Sequence, residues 1–198
     1  MSVILAMGGF AAAMSASPGP VNILALTSGL NHGMGRTIPF VTGATIGFTL
    51  LLALIGLGFS SIVEGHLIAL KFLKYLGSVY ILTIAYKLIR ASGNIDIEVS
   101  SKPSFVKGFA LQWLNPKAWV ACLAGISAFT TVGDFGSLLL FCSIYFVICF
   151  IAIFGWAALG HISEILVNNT RRMRFFNCCM GGLLACTAIY LFFSDVKV

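Results

Sequence analysis

The sequence predicts an all-α membrane protein of six transmembrane helices, arranged as two inverted-topology three-helix repeats. Three observations carry that expectation. The 198 residues are 59% hydrophobic and 9% charged, with a mean hydropathy of +1.02, whereas a soluble domain carries roughly 25% charged residues and could not hide so much apolar surface at this size. The charges divide the chain into apolar runs of about 20 residues, the length that crosses a hydrocarbon core of about 30 Å. One longer polar stretch, Ala91 to Ser104 (ASGNIDIEVSSKPS), leaves three such runs on each side of it.

The first span is placed at Val3 to Leu30. Its small residues Ala11-Ala12-Ala13 and Ser15-Ala16-Ser17 resemble a signal-peptide cleavage region. No Lys or Arg precedes the run, however, and Val21-Asn22-Ile23-Leu24-Ala25-Leu26 resumes it at once, so the expectation is a retained span. Spans at Ile38 to Val63 and Leu67 to Ile89 complete a first repeat, residues 1–90. Residues 91–104 are then a cytoplasmic linker. The second repeat, residues 105–198, holds spans at Gly108 to Thr130, Phe135 to Gly160 and Phe175 to Ser194. With three spans per half, the second half enters the membrane from the opposite side, so the repeat is inverted. Gly77, Thr83 and Tyr86 of the third span recur at identical spacing as Gly181, Thr187 and Tyr190 of the sixth.

Basic residues set the orientation, because cytoplasmic loops collect Lys and Arg. Alternate loops gather Arg36, Lys87, Arg90, Lys102, Lys107, Arg171, Arg172 and Arg174 on one side and only Lys71, Lys74 and Lys197 on the other. Both termini are therefore expected outside. The net charge of +6 is spread through these loops rather than along one face, so no nucleic-acid partner is expected; the lipid bilayer is the partner the sequence demands.

Several chemistries lack their residues. The six cysteines all fall in apolar runs without C-x-x-C spacing and read as small buried hydrophobes. No phosphate loop, H-E-x-x-H or G-x-S-x-G occurs, so neither an enzyme nor a metal or other cofactor is expected. His32, His66 and His161 fall in loops or at interfaces. Every acidic residue (Glu64, Asp96, Glu98, Asp134, Glu164 and Asp195) borders a span or lies in a loop.

Two short patterns stand out against this background. Ser17-Pro18-Gly19-Pro20, with Asn22 just after, lies about 15 residues or about 22 Å into the first span. Pro18 and Pro20 have no amide hydrogen for the carbonyls of Met14 and Ala16, and each costs about 3 kcal/mol inside a helix. The helix should break there, in hydrocarbon, where unpaired backbone survives only against protein or a watery cavity. A helix restarted at Pro20 would point free amides and its positive dipole end at an anion such as a carboxylate. A plain proline kink is the alternative. The second pattern, Asn115-Pro116-Lys117, breaks the fourth span and frees the Gln112 carbonyl. Lys117 lies about 15 Å along that helix from Lys107. A charge at such depth costs about 2.5–3.5 kcal/mol, so it should face the bundle interior, as a proton carrier or as a lysine paired with a carbonyl.

Amide donors suit a carboxylate and freed carbonyls suit an ammonium, so a zwitterionic amino acid matches both breaks. The candidate substrate-binding residues are Ser17, Pro18, Gly19, Pro20, Asn22, Gln112, Asn115 and Pro116, with Lys117 for proton coupling.

Those motifs carry a family resemblance. Ser17-Pro18-Gly19-Pro20 with Asn22 resembles the first-helix P-G-P-x-N of the LysE/RhtB family of bacterial amino-acid exporters. Gly35-Arg36, with Gly43 and Gly47, resembles its basic turn and second helix, and Leu114-Asn115-Pro116-Lys117-Ala118 its fourth-helix L-N-P-K-A. The resemblance spans nearly the whole chain. It implies two inverted three-helix repeats in a bacterial inner membrane and proton-antiport efflux of small amino acids or derivatives, of the cysteine/O-acetylserine, threonine/homoserine or leucine type. A homo-oligomer is compatible with it. The rival readings are a passive channel and a transmembrane thiol–disulfide electron conduit, whose paired cysteines would stand where this sequence has Ser17 and Asn115.

Overall fold

The computed structural model describes residues 2–59, 67–90, 102–131, 133–166 and 170–193. Among them are eight α-helices, one π-helical turn and no strand.

The first span is two helices, α1 (Ser2–Ala16) and α2 (Pro20–His32), bent by 61° at the predicted break. Pro20 is the first residue of α2, where a missing amide costs nothing. The loop expected between the first and second spans shrinks to Gly33 alone, at φ +75°, a left-handed conformation that favours glycine. Its tight turn lets α3 (Met34–Leu54) start four residues before the predicted Ile38. The Thr37 hydroxyl donates back to the Gly33 carbonyl at 2.9 Å. A π-helical turn, Ile55–Phe59, follows; the predicted end at Val63 lies outside the described residues, as does most of the 91–104 linker.

The third predicted span corresponds to α4 (Leu67–Arg90). The predicted fourth span is again two helices, α5 (Phe105–Trp113) and α6 (Pro116–Phe129), with Pro116 opening α6. The predicted fifth and sixth spans correspond to α7 (Phe135–Leu166) and α8 (Thr170–Phe193). Asp134 caps α7 by accepting from the Gly136 and Ser137 amides at 3.0 and 3.1 Å. The bond from Ser137 holds its carboxyl below the ordinary carboxylate range.

Met34–Gly58 and Phe135–Ser163 are each long and apolar enough to cross a membrane, with mean hydropathies of 2.1 and 2.7, and the bent α1–α2 pair qualifies as a third, broken span. On α7, Leu139, Val147, Ile151 and Leu159 are each more than half exposed, an apolar outer face that lipid would cover. Cys179 and Cys186 of α8 are also exposed, in contrast to the buried Cys122, Cys142 and Cys149. The two exposed thiols lie within the helix, on an outward face of α8 that the described neighbours do not cover.

Apolar side chains cannot drive helices together in lipid, so close contact relies on small residues. A Cβ on Gly29 would overlap the Ala157 carbonyl, and one on Gly160 the Leu26 carbonyl, which seats α2 on α7. Gly43 against Phe105 and Gly108 against Phe40 seat α3 on α5 in the same way. Helices α4 and α8 run antiparallel: the Tyr75 and Phe192 rings meet at 4.9 Å near one end, and the Cys178 thiol donates to the Ile89 carbonyl at 3.7 Å near the other. Gly77 lies against the Leu114 carbonyl and so brings α4 to the second break. The main core, which includes Met7, Phe40, Leu51, Leu111, Phe141 and Tyr145, joins α1, α3, α5 and α7 around the two breaks.

Candidate functional site

At the first break, every carbonyl from residue 13 to residue 19 has a donor. Ser17 N meets Ala13 O at 3.2 Å, and Ile23 N meets Gly19 O at 2.9 Å. Between them, side chains replace the amides that proline lacks. Ser17 Oγ donates to Met14 O at 2.9 Å. Asn22 Nδ2 donates to Ser15 O at 2.7 Å and Ser17 O at 2.9 Å. Trp156 Nε1, from α7, donates to Ala16 O at 3.1 Å. Lys117 Nζ, from the other half of the chain, donates to Ser17 O and Ser17 Oγ, each at 2.8 Å, and to Pro18 O at 3.3 Å.

This accounting corrects one sequence expectation. The carbonyls of Met14 and Ala16 do not stand open for an ammonium group, because Ser17 and Trp156 reach them. The Gln112 carbonyl likewise accepts from Asn115 N at 3.2 Å. The acceptors presented to an ammonium are instead those of Ser17 and Pro18, and the ammonium on them is that of Lys117.

The second break is capped from within. Asn115 Oδ1 accepts from Lys117 N at 3.2 Å, the usual service of an Asn at a helix start, and Trp119 Nε1 donates to Trp113 O at 2.8 Å. Gly19 is extended (φ −171°), so its backbone would accept any residue. A side chain there would crowd the lysine: a Cβ on Gly19 would lie 3.2 Å from Lys117 Nζ.

The donors at the start of α2 differ from the acceptors at the end of α1. No acceptor among the described residues meets the amides of Val21 and Asn22. Both residues line a cavity of about 40 Å³ together with Ser15, Gly19, Gln112, Asn115 and Lys117. Of the predicted set, Gly19, Asn22, Gln112, Asn115 and Lys117 therefore share one hollow, while Ser17, Pro18, Pro20 and Pro116 shape the breaks that form it. Its far wall comes from residues that no sequence motif marked: Phe48 of α3, and Tyr145, Cys149 and Ile153 of α7. Ser15 Oγ is buried there without a hydrogen-bond partner among the described residues. Tyr145 and Cys149 were hidden in a continuous apolar run, where one hydroxyl and one thiol carry no periodic signal.

The sequence profile of the LysE type translocators matches residues 12–195, across both breaks. The chain belongs to the LysE type translocator family. Members move solutes rather than transform them, so this translocator is an exporter in a membrane and not an enzyme. It is similar to the cysteine/O-acetylserine efflux proteins of Escherichia coli strain K12 and Shigella sonnei strain Ss046, 30% identical to each over 182 residues, covering 89% of this chain and 91% of the relative. No solved structure matches it.

Proposed function

We propose that this LysE-type translocator exports small zwitterionic amino acids from the cytoplasm across a bacterial inner membrane in exchange for protons. Its substrates are cysteine and O-acetylserine or their threonine, homoserine and leucine counterparts. Six spans form two inverted three-helix repeats, residues 1–90 and 105–198, with the 91–104 linker in the cytoplasm and both termini outside. The antiparallel pairing of α4 with α8 and the proline that opens each restarted helix support that symmetry.

One observation carries the functional reading: Lys117 of the second broken span donates to Ser17 of the first at 2.8 Å. It joins two interrupted helices from opposite halves over one cavity, which is where a secondary transporter holds its substrate. The substrate carboxylate takes the free amides of Val21 and Asn22 at the positive end of α2. Its side chain points to Ser15, Tyr145 and Cys149, which suits a short hydroxyl, thiol or ester. Lys117 is the proton-coupling group, since no carboxylate among the described residues lines the cavity. A passive channel fits less well, because a lysine bonded three times stands across the meeting point.

The test is reconstitution. Proteoliposomes loaded with a panel of labelled amino acids and given an inward proton gradient should release the small polar members first. Equal leakage of every solute, or release unchanged when the gradient is collapsed, would contradict the proposal.

A further inference from the structure

We infer that Lys117 is a tethered stand-in for the substrate's own ammonium group, and that the two cations alternate on the Ser17 and Pro18 acceptors. The inference rests on the exporter reading above and adds the coupling step and its stoichiometry.

The geometry of the lysine leads to it. An ammonium group has three hydrogens, and Lys117 Nζ uses one on Ser17 O at 2.8 Å, one on Ser17 Oγ at 2.8 Å and one on Pro18 O at 3.3 Å. These oxygens crown the carbonyl end of α1, the negative end of its dipole. Ser17 Oγ gives its own hydrogen to Met14 O at 2.9 Å, which leaves its lone pairs turned to the lysine. An α-ammonium would ask for the same three acceptors. The free amides of Val21 and Asn22, at the start of the next helix, are placed for the carboxylate of the same molecule.

Both cations cannot be held at once. One acceptor set serves one ammonium, and two like charges side by side away from water repel strongly. Space gives the same answer: about 40 Å³, at roughly 10–15 Å³ per water, holds about three waters, fewer atoms than any amino acid has. The lysine side chain must leave before a substrate can settle.

Among the described residues, no carboxylate or histidine lines the cavity as an alternative carrier. Helix α1 contributes Ser15 to the lining, α2 Asn22, α3 Phe48, α5 Gln112, the break before α6 Asn115, and α7 the titratable Tyr145 and Cys149; the Tyr75, Tyr86, Lys87 and Arg90 of α4 do not line the cavity.

The exchange balances. Facing the cytoplasm, the substrate's ammonium takes the acceptors, and the displaced lysine ammonium releases one proton to cytoplasmic water. Facing outward, the substrate leaves, and the lysine amine takes one proton from outside water and returns to Ser17. One neutral zwitterion goes out for each proton in, with one positive charge moving inward.

Purified full-length protein tests this directly with O-acetylserine as the probe, between pH 5.5 and 7.5. Wild type should release one proton per molecule bound, and its apparent Kd should fall about tenfold per pH unit, as one-proton linkage requires. Lys117→Met should bind more tightly at pH 5.5, release no proton and lose the pH dependence. Lys117→Arg, whose cation does not let go of its proton, should bind at least about tenfold more weakly than wild type at pH 7.5. Folding of both variants is checked by monodispersity and thermal melting. Binding by wild type without proton release would overturn the inference and leave the exporter reading standing. So would a folded Lys117→Met protein that still releases a proton. Failure of wild type to bind or carry any small amino acid would end both.

Discussion

Lys117 and Ser17 lie 100 positions apart in sequence and are joined twice, through the hydroxyl and the backbone carbonyl of Ser17. The charge is not neutralised by an acid; no carboxylate among the described residues lines the cavity. Carbonyl dipoles stabilise it instead. A bond of that kind holds a cation firmly enough to close a site, yet any other ammonium can replace it.

Closing the first break should remove the site. In Pro18→Ala with Pro20→Ala, residues 18 and 20 regain the amides that a continuous helix would give to the carbonyls of Met14 and Ala16, so the cost of about 3 kcal/mol per proline that opposes closing the break is removed. The double variant should melt at least as high as wild type and bind O-acetylserine at least tenfold more weakly. Equilibrium binding by the purified variant is the check, and unchanged affinity would contradict the account.

Much of the fold and of the site is legible in the sequence. Proline chemistry is local, so Pro18, Pro20 and Pro116 announced both breaks, and Lys117 announced itself by the cost of a charge at depth. What the sequence could not reveal was which partners finish the breaks. Trp156 reaches Ala16 from 140 residues away, and its indole looked like any other aromatic in an apolar run. Ser15, Tyr145 and Cys149 were invisible for the same reason: long-range packing, not spacing, makes them cavity residues.

Helix contact through glycine should be measurable as stability. Gly29→Ala and Gly43→Ala each set a methyl against a neighbouring backbone carbonyl, and overpacking of this kind costs about 1–3 kcal/mol. Gly35→Ala meets nothing within 4 Å and should be neutral or slightly stabilising, because alanine is the better helix former. Melting temperatures in one detergent rank the three.

Selectivity should follow the far wall of the cavity. Ser15 Oγ has no partner among the described residues, so Ser15→Ala should leave stability unchanged or raise it. The same change should lower efflux of O-acetylserine relative to leucine by about three- to tenfold, the worth of one hydrogen bond. Competition between the two labelled substrates in proteoliposomes reads the ratio.

Orientation is open to a direct assay. A reporter fused after Val198 should be active outside the cytoplasm, and one inserted between Asp96 and Glu98 inside it. The opposite pattern would reverse the direction assigned to the two halves.

The most direct measurement is a structure determined with O-acetylserine bound. It should show the carboxylate on the Val21 and Asn22 amides, the ammonium on Ser17 O and Pro18 O, and Lys117 Nζ withdrawn from both. Substrate bound elsewhere, or seated here with Lys117 still on Ser17, would contradict the account.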